Sequence, residues 1–391
     1  MKITVGLFFG GNSVEHEVSI ISALQAFPQF QRERYEVLPI YISRDGGFYT
    51  GEAAGKITEY KNIPALLKQC TKVYPVRIGD RAALLEEGAF GYKKKPYAYL
   101  DVAFPVVHGT NVEDGALQGF FRTLGLPFAG CDVSASALGM DKFAQKLLYQ
   151  AAGLPVLPAK RLSQLDDRTK CMDEAERAFG YPMIIKPLNL GSSVGIKLAH
   201  DRAALEEALD YAFGFAPELL IERAVSGLRE LNCSVIGDAD GAEASEVEEP
   251  LMEDEILSYQ DKYGGGGKGG KTGASKGMRG LKRLLPAPIP QELREEIRND
   301  AVRAFQALDC SGVARIDFLM DGNTGEFWVN EINTIPGSLS FYLWEPLGLG
   351  YTAMLDRLVE LALKRERRRA GFHYEIETGI LAGFSGSKGK S

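Results

Sequence analysis

Two apolar stretches, Ala314-Arg315-Ile316-Asp317-Phe318-Leu319 and Trp328-Val329-Asn330-Glu331-Ile332-Asn333-Thr334, read as β-strands. β-Branched and aromatic residues dominate them, and acidic side chains recur at the strand period of two. The intervening Met320-Asp321-Gly322-Asn323-Thr324-Gly325-Glu326 supplies turn chemistry, so the pair is expected to close as a hairpin. Asp317, Glu331 and Asn333 then share one sheet face. They make an all-oxygen set of the kind Mg²⁺ prefers, with phosphates and water completing its shell. Arg315 lies on the same face, where it can meet an anion. Carboxylates at strand ends are commonly just solvated, and that reading competes. The Glu-x-Asn pair inside an apolar strand weighs against it, because buried charge is costly unless paired or metal-bound.

The chain has 391 residues, 45% hydrophobic and 25% charged, an ordinary globular composition long enough for two or three domains. A net charge of −7 gives no basic footprint for nucleic acid. Cys70, Cys131, Cys171, Cys233 and Cys310 are scattered, odd in number and without metal spacing, which points to a reducing cytoplasm. No apolar run has membrane-spanning length, so no membrane is expected as a partner. Ile3 to Phe9, followed by Gly10-Gly11, reads as a buried strand ending in a glycine turn rather than as a secretory h-region.

Strand and helix patterns alternate from the start. After the first strand a helix opens around Ser13 to Ser22, with Asn12 or Ser13 as expected N-cap. Tyr35–Ile42 and Leu100–Val107 follow as strands. This alternation predicts an α/β unit with a largely parallel sheet, and His108-Gly109-Thr110-Asn111-Val112-Glu113-Asp114-Gly115 falls where such sheets place ligands. A second unit begins near Gly130. Ser134 to Gly153 reads as one helix containing Lys142, Pro182–Pro187 as a strand carrying Lys186, Ala203–Phe215 as a helix and Glu218–Arg223 as a strand. Leu188 to Gly195 is a small-residue loop with Ser192 and Ser193. Its N–H groups and hydroxyls suit a cover over phosphates, though a surface hairpin without a role has the same composition.

Gly265 to Thr272 satisfies the GxxxxGK[ST] phosphate-loop pattern. The match is rejected, because the preceding residues are polar and the following Gly273 to Gly280 cannot start a stable helix. A mobile basic loop over a phosphate ligand fits better, with a plain insertion as the competing reading. Pro290–Ala307 and Tyr351–Leu363 read as helices, and Lys364 to Arg369 as the solvated end of the latter. Beyond Gly371 the Gly/Ser/Lys-rich tail is expected to be mobile.

In their order, these residues resemble the D-alanine–D-alanine ligases of the ATP-grasp superfamily. The resemblance rests on Gly10-Gly11-x-Ser13-x-Glu15-His16-Glu17-Val18-Ser19, His108-Gly109 with Glu113-Asp114-Gly115, and Met140-Asp141-Lys142. It continues through Ile185-Lys186-Pro187 with Gly191-Ser192-Ser193-Val194-Gly195, Lys262-Tyr263, Arg315-Ile316-Asp317, and Asn330-Glu331-Ile332-Asn333-Thr334-x-Pro336-Gly337. The resemblance implies an α/β and α+β, three-domain ATP-grasp fold. Residues 1–130 would form an N-terminal parallel α/β domain, 131–225 the central subdomain and 226–370 the C-terminal subdomain. The last would carry the metal site and a closing loop at about 258–285, followed by a tail at 371–391.

The implied reaction is ATP-dependent ligation of two D-alanines through an acyl-phosphate, for cell-wall peptidoglycan precursors. The implied cofactors are ATP and two Mg²⁺ (or Mn²⁺) ions on Asp317, Glu331 and Asn333. Lys142, Lys186, Ser192, Ser193, Glu222, Glu230 and Lys262 resemble the nucleotide-binding set, with Glu222 toward adenine and Glu230 toward ribose. Glu15, Ser192 and Tyr263 resemble a hydrogen-bonded set tying three segments over the substrate, and Glu15 and His108 the first amino acid's site. Arg315 and the backbone at Gly337 resemble the oxyanion donors. The family usually continues after Pro-Gly with Thr-Ser-x-Ser. This chain has Ser338-Leu339-Ser340-Phe341-Tyr342-Leu343-Trp344, so Ser338 or Ser340 would have to meet the second substrate's carboxylate. D-serine, D-lactate or another amino acid as second substrate, and a nucleotide-binding homologue without ligase activity, are the alternatives. Tyr263 favours an amine as acceptor. The family's frequent assembly is a homodimer in the cytoplasm.

Overall fold

The computed structural model describes residues 2–88, 95–191, 194–251 and 282–374. Among them, the first sheet contains β1 (Ile3–Gly10), β2 (Tyr35–Ile42), β3 (Phe48–Thr50), β4 (Thr71–Ile78), β5 (Arg81–Glu86), β6 (Ala98–Leu100) and β7 (Val102–Pro105), in the order β6-β5-β4-β3-β2-β1-β7. β1 is parallel to β2 and β7, and every other pairing is antiparallel. The parallel sheet expected from sequence is thus three strands, β2-β1-β7, at one edge, with an antiparallel extension on the other side. β1 reaches β2 through helix α1 (His16–Ala26), a crossover long enough for parallel pairing, whereas the links from β2 to β3 and from β4 to β5 leave room only for hairpins. β1 is buried from Val5 onward, as a strand covered on both faces must be.

Helices α2 (Ile63–Gln69) and α3 (Ala116–Thr123) flank this unit. The helix expected over Ser134–Gly153 is two, α4 (Val133–Met140) and α5 (Lys142–Ala151), broken at Asp141. Asp141 is extended, at φ −98° and ψ 99°, and its Oδ1 accepts the N–H groups of Phe143 (3.0 Å) and Ala144 (2.9 Å). The carboxylate therefore ends one helix and caps the next. The break leaves Lys142 at the first position of α5.

The second sheet is antiparallel throughout, in the order β10-β9-β11-β8, with β8 (Ala159–Ser163), β9 (Met183–Pro187), β10 (Lys197–Ala199) and β11 (Glu218–Arg223). Helices α6 (Arg168–Phe179) and α7 (Arg202–Phe213) pack on it through Met172, Ala175, Leu205 and Leu209. The third sheet, β14-β13-β12-β15-β16, is built from β12 (Leu228–Asp238), β13 (Gly241–Pro250), β14 (Arg283–Leu284), β15 (Gly312–Asp321) and β16 (Phe327–Asn333). Helix α8 (Gln291–Ala307) covers it with Ile297, Ala301 and Phe305. A 3₁₀ segment, Gly337–Leu343, leads to helix α9 (Tyr351–Arg369). Leu339, Phe341, Trp344 and the α9 residues Met354 and Leu358 join the core of the first sheet.

α9 takes in Lys364 to Arg369 as its end, as expected, but this basic run is not simply solvated. Lys364 Nζ lies 2.6 Å from Asp238 and 2.7 Å from Asp240, and Arg368 meets Asp240. Arg365 donates to the Gly130 and Phe128 carbonyls, with its guanidinium 4.3 Å from the Phe128 ring. Its aliphatic stem and planar head let a charged residue serve as packing. Among the described residues no helix is long and apolar enough to cross a membrane. The P-loop-like run 265–272, the 258–285 loop apart from 282–285, and most of the tail lie outside the described residues.

Candidate active site

The expected hairpin forms, β15 against β16, with Arg315 opposite Asn333 and Asp317 opposite Glu331. Burial alternates along β15: Ala314, Ile316, Phe318 and Met320 face the core, while Arg315 and Asp317 face the open side. Arg315 grips Asp317 through two contacts, Nε to Oδ1 and one terminal nitrogen to Oδ2, both 2.6 Å. Asn333 Nδ2 donates to Asp317 Oδ2 at 3.0 Å. Burial alone would lower the Arg315 guanidinium, but the Asp317 charge outweighs it and holds the group firmly protonated.

The register shifts between Asp317 and Phe318, so Asn330 is the extra residue of a bulge. Bulges re-aim side chains, and here the Asn330 Oδ1 accepts from Lys186 Nζ at 3.2 Å. Sequence periodicity gave no warning of this. Lys186, on β9, also lies 2.6 Å from Glu222 Oε2 on β11. Lys142 Nζ donates to the Leu190 carbonyl at 2.6 Å and stands 3.5 Å from Glu331 Oε2. Lys142 and Lys186 thus reach the acidic face of the hairpin from the second unit. Glu222, expected toward an adenine edge, has its carboxylate clasped by Lys186 and by Lys146 Nζ, the latter 2.6 Å from Oε1. Burial alone would raise this carboxyl, yet the two lysines pull it below the ordinary carboxylate range. Lys146 and Asn330 were not singled out from sequence as site residues. Glu230 is half-buried on β12, opposite Leu319.

At the other wall, helix α1 starts later than expected. Glu15 stands at its N-cap without a side-chain cap bond. The Ser13 hydroxyl instead accepts the Glu15 N–H (3.1 Å) and donates to the His108 carbonyl (2.6 Å), because the chain crosses the 108–115 loop there. The Glu15 carboxylate is buried between two glycines. A Cβ on Gly109 or on Gly191 would lie 3.0 Å from its Oε2, tighter than ordinary contact. Gly109 also has φ +85°, where a side chain is strained. Glu15, the 108 loop and the start of the small-residue loop therefore meet in one volume. Ser192, Ser193, Lys262 and Tyr263 lie outside the described residues.

Glu113 is a buried acid with no role assigned from sequence. It accepts from the N–H groups of Gly109 (3.0 Å) and Ile335 (2.9 Å) and from the Thr334 hydroxyl (3.3 Å). It so ties the 108–115 loop to the exit of β16. Burial and then the charge of Glu15 push its carboxyl up to about 8. The folded protein holds this proton more tightly than an unfolded chain, whose carboxyl titrates near 4.5. The resulting stability is complete below that value and is lost as pH rises through about 8. Glu113→Gln keeps an acceptor oxygen and removes the titrating group, so its thermal midpoint should fall less than that of the wild type as pH rises from about 4.5 to about 8. Parallel melting curves across that range would contradict this. His108 has Nε2 3.1 Å from the Ser22 hydroxyl, and burial lowers its imidazole to about 4, so it is neutral.

Gly337 is buried at the start of the 3₁₀ segment. Ser338, Leu339 and Ser340 all adopt left-handed backbone, at φ 49°, 55° and 51°. Such strain costs about 1–3 kcal/mol per residue and persists only where surroundings impose it. Here α1 imposes it: the Ser338 N–H donates to Ser22 Oγ at 3.0 Å, and the Ser338 hydroxyl donates to Gln25. Ser338 is therefore already committed, while the fully buried Ser340 hydroxyl has no hydrogen-bond partner among the described residues. Tyr342 donates to Glu248 Oε1 at 2.8 Å. A separate cleft between β13, α8 and the turn after Trp344 contains none of the expected site residues.

The donor set Asp317, Glu331 and Asn333 fits a hard divalent cation: two carboxylates and an amide oxygen, partly buried, on neighbouring strands. With Lys142, Lys186 and Arg315 around it, this face carries alternating charges suited to a polyphosphate and its metal.

Two family models cover most of the chain: D-ala D-ala ligase N-terminus over residues 4–131 and D-ala D-ala ligase C-terminus over 148–360. Among similar proteins are the D-alanine–D-alanine ligases of Acetivibrio thermocellus and Thermosipho melanesiensis. The first is 39% identical over 93% of this chain and 96% of its own length. The second is 35% identical over 97% of this chain and 98% of its own. Among solved structures, the D-alanine-D-alanine ligase from Coxiella burnetii superposes with a TM-score of 0.78 at 27% identity, covering 94% of this chain and 96% of that one. The VanG D-Ala:D-Ser ligase from Enterococcus faecalis does so with a TM-score of 0.76 at 31% identity, covering 93% and 100%.

Proposed function

Because the chain belongs to the D-alanine–D-alanine ligase family, we propose that it joins two D-alanines in an ATP-dependent reaction through an acyl-phosphate. The observation that carries this reading is the β15–β16 hairpin, whose open face sets Arg315, Asp317, Glu331 and Asn333 beside Lys142 and Lys186. Glu15 holds the first amino acid's ammonium, beside the neutral His108. The first carboxylate then attacks the γ-phosphorus of ATP, an anion approaching an anion, and the bond to ADP breaks as the acyl-phosphate forms. Lys142 and Lys186 offset that repulsion, so the residues act by position and charge. ATP and a divalent cation are what the family implies. The reading takes the cation as Mg²⁺ or Mn²⁺, two ions on Asp317, Glu331 and Asn333, supplying further charge neutralisation.

The second amine attacks the acyl carbon, forming the amide bond as phosphate leaves. Arg315 stabilises the developing oxyanion together with the backbone N–H at Gly337. Its grip on Asp317 uses two of five guanidinium N–H donors, so three remain for that task. Ser340, rather than the committed Ser338, is the reading's donor to the second carboxylate. Ser192, Ser193, Lys262 and Tyr263 would close over the phosphates and exclude water. Glu222, with Glu230, borders the nucleoside. We place the domain boundaries near residues 130 and 225, the enzyme in the cytoplasm with its ATP, its product in peptidoglycan precursors, and its assembly as a homodimer.

Incubation with ATP, Mg²⁺ and D-alanine should release phosphate and form the dipeptide. Absence of D-alanine-dependent ADP release would sink the reading. D-serine and D-lactate as second substrates separate acceptor classes, and the structural likeness to a D-Ala:D-Ser ligase makes D-serine the first of these to try. Lys186→Ala is expected to abolish turnover and Lys271→Ala to weaken it mildly. The opposite ranking would restore the P-loop reading of residues 265–272.

A further inference from the structure

Helix α5 presents Lys142, Gln145 and Lys146 at i, i+3 and i+4, hence on one face. Each reaches a different wall of the site. Lys142 holds the Leu190 carbonyl beside Glu331. Gln145 Oε1 accepts the Ile332 N–H of β16 at 3.0 Å, and its Nε2 donates to the Gly139 carbonyl at 2.7 Å. Lys146 pairs with Glu222 at 2.6 Å and donates to the Leu157 carbonyl at 3.2 Å. The Lys146 ammonium is held by Glu222 and the Leu157 carbonyl, and the Lys146 and Glu222 side chains are only 3% and 2% exposed, which places Lys146 behind Glu222.

We infer that Lys146 is a positioning residue for the nucleotide's phosphates, acting through Glu222 and Lys186; this rests on the ATP-dependent reading above. Two ammonium groups share one carboxylate in this cluster, leaving one surplus positive charge. Lys186 spends one N–H on Glu222 and one on Asn330, and keeps a third. Without Lys146, Glu222 would cancel the Lys186 charge and draw the ammonium toward itself. The phosphates would then face a neutral pair. A purely structural role, holding α5 against β11, predicts instead a loss of stability that does not distinguish ATP from D-alanine.

The test uses the full chain and the variants K146M, K146Q and K146R, with KM measured separately for ATP and D-alanine and ADP binding measured by calorimetry. In K146M the KM for ATP is expected to rise at least about tenfold, the loss of one charge-assisted contact, with KM for D-alanine nearly unchanged. K146R should behave close to wild type. An unchanged KM for ATP in folded K146M, or an equal rise in the KM for D-alanine, overturns the inference. Should K146M not fold, K146Q carries the test, because its amide can still donate to Glu222 and to the Leu157 carbonyl while the charge is gone. A rise in the KM for ATP of at least about tenfold is then expected, and an unchanged value overturns the inference. A wild-type enzyme without ATP-dependent ligation would instead overturn the functional reading.

Discussion

Arg315→Met should lower kcat by about 10²–10³ or more, the cost of deleting one oxyanion donor in a water-poor site. The residue serves two partners at once. Its fork fixes Asp317 with two 2.6 Å contacts, which use two of its five N–H donors. On the proposed function, deletion removes the oxyanion donor and also frees Asp317 to rotate away from the proposed metal position. Arg315→Lys separates these losses. It keeps a positive charge but not a planar fork, so it should remain at least about tenfold below wild type. Kinetics in both substrates, with thermal melts to confirm folding, check this. Turnover of R315M within a few-fold of wild type would remove Arg315 from the mechanism.

The second large effect is expected at Glu331. It faces Asp317 across the hairpin and lies 3.5 Å from Lys142 Nζ, so on the proposed function one carboxylate serves both the cation and the lysine assigned to the phosphates. Glu331→Gln keeps the shape and removes the charge. Altering groups that merely orient metal ligands costs about 10–100-fold in affinity, and loss of a ligand's charge should exceed that. The Mg²⁺ concentration needed for half-activity at fixed ATP should therefore rise by about 100-fold or more. Chelation by EDTA should silence the wild type at once. A Mg²⁺ titration of E331Q that superimposes on the wild type would show that Glu331 is not a metal ligand.

How much of this was legible in the sequence depended on the range of the interaction. The hairpin over residues 312–333 follows from local pattern: alternating burial, β-branched residues and an Asp-Gly-Asn-x-Gly turn. Tyr35–Ile42 and Glu218–Arg223 also appear with the expected ends. The single helix expected around Lys142 failed because Asp141, in the middle of a helical pattern, caps a new helix. The basic end of α9 was misread as solvated because its partners, Asp238, Asp240 and the Phe128 and Gly130 carbonyls, lie far away in sequence.

The sequence by itself determined the family, through the order in which its motifs run along the chain, and it named the oxygens and lysines proposed for a cation and for phosphates. Residue type and short spacing carry that information, since a carboxylate or a glycine has the same properties wherever it stands. Only the tertiary structure decided which groups are already spoken for. Glu222 is shared by two lysines, Ser338 is held by α1, Glu113 bridges a loop to β16, and a bulge aims Asn330 at Lys186. Each is a pairing across tens to hundreds of residues, set by how three sheets bury their apolar faces and leave the polar remainder to find partners.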